Sequence, residues 1–98
     1  MCTLKCRQLV FSGHAVQRMF ERGITQEAIR TVIRTGQEIA SYPDDRPFPS
    51  SILLGFVDGR PHHLVLALDS ATETCHIITV YIPDPALWSS DFKTRRPS

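Results

Sequence analysis

The chain has 98 residues, 42% of them hydrophobic and 21% charged, with a formal net charge of +1. That length supports one modest hydrophobic core, so a single domain over residues 1–98 is expected. The composition excludes a disordered or strongly basic protein, and any polyanion it binds must be met by locally concentrated charge.

The N-terminal "MCTLKCRQLVF" lacks the apolar run of a signal peptide, and nowhere does the chain offer the roughly 18 apolar residues of a membrane span. A cytoplasmic protein with no membrane association is therefore expected. In that compartment Cys2, Cys6 and Cys75 would stay reduced, and a count of three argues against a disulfide framework. Cys2 and Cys6 with Cys75 or His76 make one loose pair rather than the two close pairs of a zinc site, so no metal or cofactor is expected.

Residues 1–10 read as an N-terminal extension. Ser12 is a good N-cap, and Phe11 with Val16 matches a hydrophobic staple, so a helix is predicted over Gly13–Arg22 and ended by Gly23. At about 100° per residue, Val16, Met19 and Phe20 fall on one side, His14, Gln17 and Glu21 on the other, and Arg18 and Arg22 at the border. Thr25 caps a second helix over Gln26–Thr35, with Ala28, Ile29, Val32 and Ile33 as its apolar stripe and Gly36 as its stop.

From Gln37 the pattern is that of strands, beginning with "EIASY". The segment "PDDRPFPS" holds three prolines and must be a loop, either a plain connection or a flap over a site. Asp58-Gly59 between two β-rich runs predicts a two-residue type I′ hairpin joining strands over 51–57 and 60–69. "TCHIITVYI" is a further strand, and "ALWSSDFKTRRPS" is a short turn of helix or an arm with a basic tail over 91–98. The expected architecture is α+β: two N-terminal helices packed on one face of a three- to four-stranded antiparallel sheet.

Hairpin parity puts His62 on a face with Leu53, Gly55, Leu64 and Leu66, and His63 on the other with Leu54, Phe56, Val65 and Ala67. Both faces are apolar enough to be the core. The longer Ser70–Glu73 connection leaves open which histidine shares a face with Thr79 and Tyr81. The plain reading of a strand histidine is a satisfied structural group, and of helix arginines a solvated face. Against it, Arg18 and Arg22 are like charges one turn apart, and Arg22 has no acidic residue three or four positions away. Two guanidinium groups at a core border suit an anion clamp, because each offers a bidentate fork to phosphate oxygens. The chain has no glycine-rich phosphate loop, no nucleophile elbow and no HExxH, which leaves Arg, His, Tyr and Thr for any chemistry.

"FSGHAVQRMFERGI", "GRPHHLVLALD" and "IITVYIPDPALWSSDFKTRR" together closely resemble the small bacterial proteins catalogued as domain of unknown function 4258, over Phe11 to Arg96. That family resembles the RelE- and MqsR-like ribonuclease toxins of toxin–antitoxin modules, and the family's genes often lie near zinc-finger antitoxins. The resemblance implies a metal-independent RNA endonuclease acting on messenger RNA, with such an antitoxin as partner. Its pattern carries over onto His14, Arg18, Arg22 and Gly23, onto His63, and onto Thr79 and Tyr81. It favours His63 over His62, whose position is commonly aliphatic in such proteins.

The expected catalytic set is therefore His14, Arg18, Arg22, His63 and Tyr81. Arg60, Thr79, Lys93, Arg95 and Arg96 are the expected RNA contacts. In that scheme the first helix leans its guanidinium groups over a strand-borne imidazole, His63 or else His14 takes a proton from a ribose 2′-hydroxyl, and Tyr81 stacks a base or protonates the leaving oxygen. The alternative is a non-enzymatic module that binds protein or nucleic acid through an exposed strand edge and the Trp88-bearing arm.

Overall fold

A computed structural model describes residues 6–96. Cys2 and the other residues of positions 1–5 lie outside it, as do Pro97 and Ser98 of the basic tail. The elements run β1 (Gln8–Phe11), α1 (Gly13–Arg22), α2 (Gln26–Thr35), β2 (Gln37–Tyr42), β3 (Ser50–Val57), β4 (Arg60–Asp69) and β5 (Thr74–Tyr81). The class is α+β, but the sheet has five strands and is mixed, in the order β1-β5-β4-β3-β2.

The extra strand falls within the stretch expected to be an extension. β1 pairs parallel with β5, from Gln8 opposite Thr74 to Phe11 opposite Ile77. Four residues are too few to show a period, and a parallel partner distant in sequence leaves no local turn signal. This pairing also overturns the expectation of three reduced cysteines. It carries Cys6 beside Cys75, with Cα atoms 5.3 Å apart and the sulfurs bonded.

Both predicted helices form with the expected caps. Ser12 Oγ accepts the amide of Ala15 and Thr25 Oγ1 that of Ala28, each at 3.0 Å. Gly23 ends α1 at φ +66°, a left-handed conformation that costs a glycine little, and its amide donates to the carbonyls of Met19 and Phe20.

The rotation of α1 differs from the expectation. Ala15 is fully buried and Met19 partly so, whereas Val16 is 53% exposed and Phe20 89% exposed. The cause lies at the helix start, where the Ser12 amide donates to Ile77 O and its hydroxyl to Ile78 O, both on β5. Tied there, the helix turns small Ala15 toward the sheet and Val16 away. Seven residues make nearly two turns, so Arg22 lies on the same side of α1 as Ala15, at the helix end.

One buried cluster joins Ala15, Ile24, Ala28, Ile29, Val32 and Ile33 of the helical segment to Leu53, Leu64, Leu66, Ile77 and Val80 of the sheet. Helix and sheet come close at Gly55, where an added Cβ would stand 2.9 Å from Val32 Cγ1. Only glycine lets α2 settle that near β3. Asp58 and Gly59 take φ values of +52° and +79°, the two positive angles a type I′ turn demands.

That turn sets the register: Gly55 opposite His62 and Leu54 opposite His63 in β3–β4, then His63 opposite Tyr81 and Val65 opposite Thr79 in β4–β5. The face bearing Leu53, Gly55, His62 and Leu64 belongs to the helix-covered core. His63, Thr79, Tyr81 and His76 lie on the opposite, free face. The C-terminal segment is an arm rather than a helix. It folds as a small hairpin in which Trp88 bridges Arg95 and the Arg96 amide donates to Leu87 O.

Candidate functional site

Two adjacent histidines on β4 point to opposite sides of the sheet, and their surroundings differ in kind. His63 has no exposed surface. Its Nε2 donates to Phe92 O at 2.7 Å, and its Nδ1 accepts the Tyr81 hydroxyl at 3.2 Å. The Trp88 ring meets it edge-on at 4.3 Å between centroids. Burial lowers the His63 pKa below 6.5, and the Phe92 hydrogen bond opposes that only in part. The same burial raises the Tyr81 pKa, with Arg95 pulling it back down. His63 is thus a neutral peg with both nitrogens committed, fastening the arm to the free face.

His62 leans the other way, into a cleft of about 210 Å³ lined by Arg22, Thr25, Asp58, Arg60, His62 and Ile82, among others. Its Nδ1 donates to Arg60 O at 2.9 Å. That bond leaves the lone pair of the neutral ring on Nε2. His62 is only 6% exposed, but among the described residues no fully buried side-chain nitrogen lacks a partner, so Nε2, for which no bond is formed, keeps some contact with solvent.

The cleft is built by three local features acting together. The Asp58–Gly59 turn brings Arg60 and His62 to one end of β4. The Ala15 side of α1 delivers Arg22 to the same end. Gly23 turns the chain sharply, so that Thr25 and Ala28 at the start of α2 form the third wall, where the helix presents its partial positive charge. Among the described residues neither Arg22 nor Arg60 is within ion-pair distance of a carboxylate. The cleft thus sets two arginines and an imidazole, with Asp58 beside them, around one space, an arrangement that can hold an anion.

The expected catalytic residues are therefore not brought together as one group. Arg22 is in the cleft, but His63 and Tyr81 are on the other side of the sheet, so the proposition that α1 leans over His63 is corrected. Arg18 sits one turn before Arg22 and reaches Glu21 at 3.7 Å. His14 is exposed in the first turn of α1, about 12 Å along the axis from Arg22. Of the expected RNA contacts, Arg60 joins the cleft. Thr79 is on the free face, Arg95 lies over Trp88 at 5.7 Å, Arg96 donates to Pro85 O, and Lys93 stands with Asp91 near Phe56. Among the described residues no three His, Cys, Asp or Glu side chains converge as metal ligands.

His62, set aside in favour of His63 on the resemblance, is the histidine that lines the cleft. Its signal was the glycine opposite it, since an isolated glycine in a strand marks a close backbone approach and hence the face that a helix covers.

Residues 11–82 match the family model named Domain of unknown function (DUF4258). The chain belongs to this family. The match takes in both helices, the proline-rich segment between β2 and β3, and strands β2–β5, and so contains every residue of the cleft. No curated protein and no solved structure matches the chain. No helix among the described residues is long and apolar enough to cross a membrane.

Proposed function

We propose that the protein is an RNA endonuclease that works without a metal at the Arg22–Arg60–His62 cleft. The observation that carries this reading is a single cleft lined by Arg22, Arg60 and His62, in which Arg60 O holds the tautomer of the His62 ring. In the proposed step, Nε2 takes the proton of a ribose 2′-hydroxyl and the oxygen attacks the adjacent phosphorus. The bond to the 5′-oxygen breaks, and that oxygen leaves as an alcohol with a proton from solvent. Arg22 and Arg60 balance the charge that builds on the phosphoryl oxygens. The products are a 2′,3′-cyclic phosphate and a 5′-hydroxyl.

The test is incubation of a mixed-sequence RNA oligonucleotide with the protein in excess chelator. Cleavage to cyclic-phosphate ends is expected, with none at a position carrying a 2′-deoxyribose. Cleavage of the DNA counterpart, or 3′-hydroxyl products, would contradict the mechanism.

On this reading the substrate is messenger RNA in the cytoplasm, and the zinc-finger-type antitoxin implied by the resemblance silences the protein by closing the cleft. A cytoplasmic setting keeps thiols reduced, whereas Cys6 and Cys75 are bonded here. The cleft contains neither cysteine, so cleavage is expected to survive reduction. Opening a crosslink that spans 69 residues should nevertheless cost about 4 kcal/mol of stability. Thermal melts with and without reductant, beside cleavage rates, measure both effects.

One observation favours the second reading, a protein-binding module: Val16 and Phe20 form an exposed apolar pair one turn apart on α1. That reading expects intact RNA under all conditions.

A further inference from the structure

The proline-rich segment between β2 and β3 does not simply connect them. It folds over the free face at the end remote from the arm and lines a half-open pocket of about 280 Å³. Phe48 lies nearly parallel to the His76 ring, at 5.2 Å between centroids and 10° between planes. Ile78, displaced by an irregularity of pairing in β5, forms part of the wall, and Asp45 and Arg46 complete it. The buried Ser50 hydroxyl donates to Asp45 Oδ2, which fixes that carboxylate and leaves Oδ1 without a side-chain partner among the described residues.

We infer that this flap pocket is a binding site for a guanine base. The facing sides of this ring pair already cover each other, so a flat heterocycle would stack on the outer face of the pair and lie against the aliphatic wall, covering two apolar surfaces at once. The polar groups then select among bases. Guanine alone presents two adjacent N–H donors, N1–H and the N2 amino group, on its Watson–Crick edge, and a carboxylate accepts from both. Adenine and cytosine offer an unprotonated ring nitrogen at the corresponding place, which a carboxylate repels. Arg46, next to Asp45, supplies donors for the guanine O6 acceptor.

The inference extends the RNA-directed reading to a second place in the molecule and is tested apart from it. Guanosine carries no phosphate, so its binding owes nothing to the cleft at Arg22. Titrating the protein with guanosine, adenosine and cytidine while following the histidine and phenylalanine ring signals by nuclear magnetic resonance is the experiment. Guanosine is expected to move the His76 and Phe48 signals saturably and leave those of His62 in place, with adenosine and cytidine at least tenfold weaker. Asp45→Asn keeps a partner for Ser50 and should lower guanosine affinity tenfold or more without changing the thermal midpoint. Guanosine shifts that do not saturate, equal affinity for adenosine, or full guanosine affinity in a folded D45N protein would each overturn the assignment.

Discussion

His62 and His63 are neighbours in sequence, yet one lines an arginine-bearing cleft and the other closes a packed interior on the far side of the sheet. The strand alternation that separates them is absolute, because successive side chains leave a pleated strand on opposite faces. Their uses follow from what meets each ring. Three aromatic or carbonyl groups surround His63, so removing it should damage the fold. Two unpaired guanidinium groups accompany His62, so removing it should damage anion binding and the chemistry proposed there.

The largest effect is expected when the cleft loses its charge. Arg22→Ala with Arg60→Ala should lower RNA cleavage by at least on the order of 10²–10³-fold, the usual loss when a donor to developing transition-state charge is removed. The thermal midpoint should barely move, since both side chains are exposed. A double variant that cuts at the native rate would detach the cleft from the activity.

Next in size is the loss of the peg. His63→Ala removes a fully buried ring and strands the Phe92 carbonyl and the Tyr81 hydroxyl, at a cost of about 2–4 kcal/mol. In a domain this small that lowers the midpoint by more than about 10 °C in a thermal melt. An unchanged midpoint would mean that the arm is not fastened through His63.

A smaller effect comes from acid. Because burial holds the folded His63 below 6.5, the unfolded chain takes up the proton first as pH falls. Stability from this group is complete above 6.5 and declines as pH drops from there toward the lowered value. Melts over that range should show the decline in the native protein and a shallower one in His63→Gln. The smallest effect is expected on the outer side of α1, where Phe20→Ser should change stability by less than about 0.5 kcal/mol and leave cleavage intact.

The parts of the fold legible in the sequence were those with local causes. Ser12, Gly23 and Thr25 mark helix ends through caps a few residues long, and Asp58-Gly59 marks a hairpin because few other pairs accept two positive φ angles. Parity from that turn separated His62 from His63 and could not say which faced the helices. β1 and the Cys6–Cys75 bond were not legible, since both depend on a partner nearly seventy positions away. The facing of α1 was misread for a related reason. Val16 and Phe20 look like a core stripe, but the carbonyls of Ile77 and Ile78 that hold Ser12 decide the rotation. At the site, Arg22 was identifiable from its unpaired charge at the core border, and Arg60 was expected only as an RNA contact, whereas the choice of imidazole required knowing which face Gly55 turns to Val32.

The most direct test compares two variants in one assay: initial rates of RNA cleavage by His62→Gln and His63→Gln, each measured at a temperature where circular dichroism shows it folded. The account predicts a loss on the order of 10²–10⁴-fold for His62→Gln, the range for removing a positioned base, and a near-native rate for His63→Gln. A folded His62→Gln protein that cuts normally, beside a folded His63→Gln protein that does not, would contradict it.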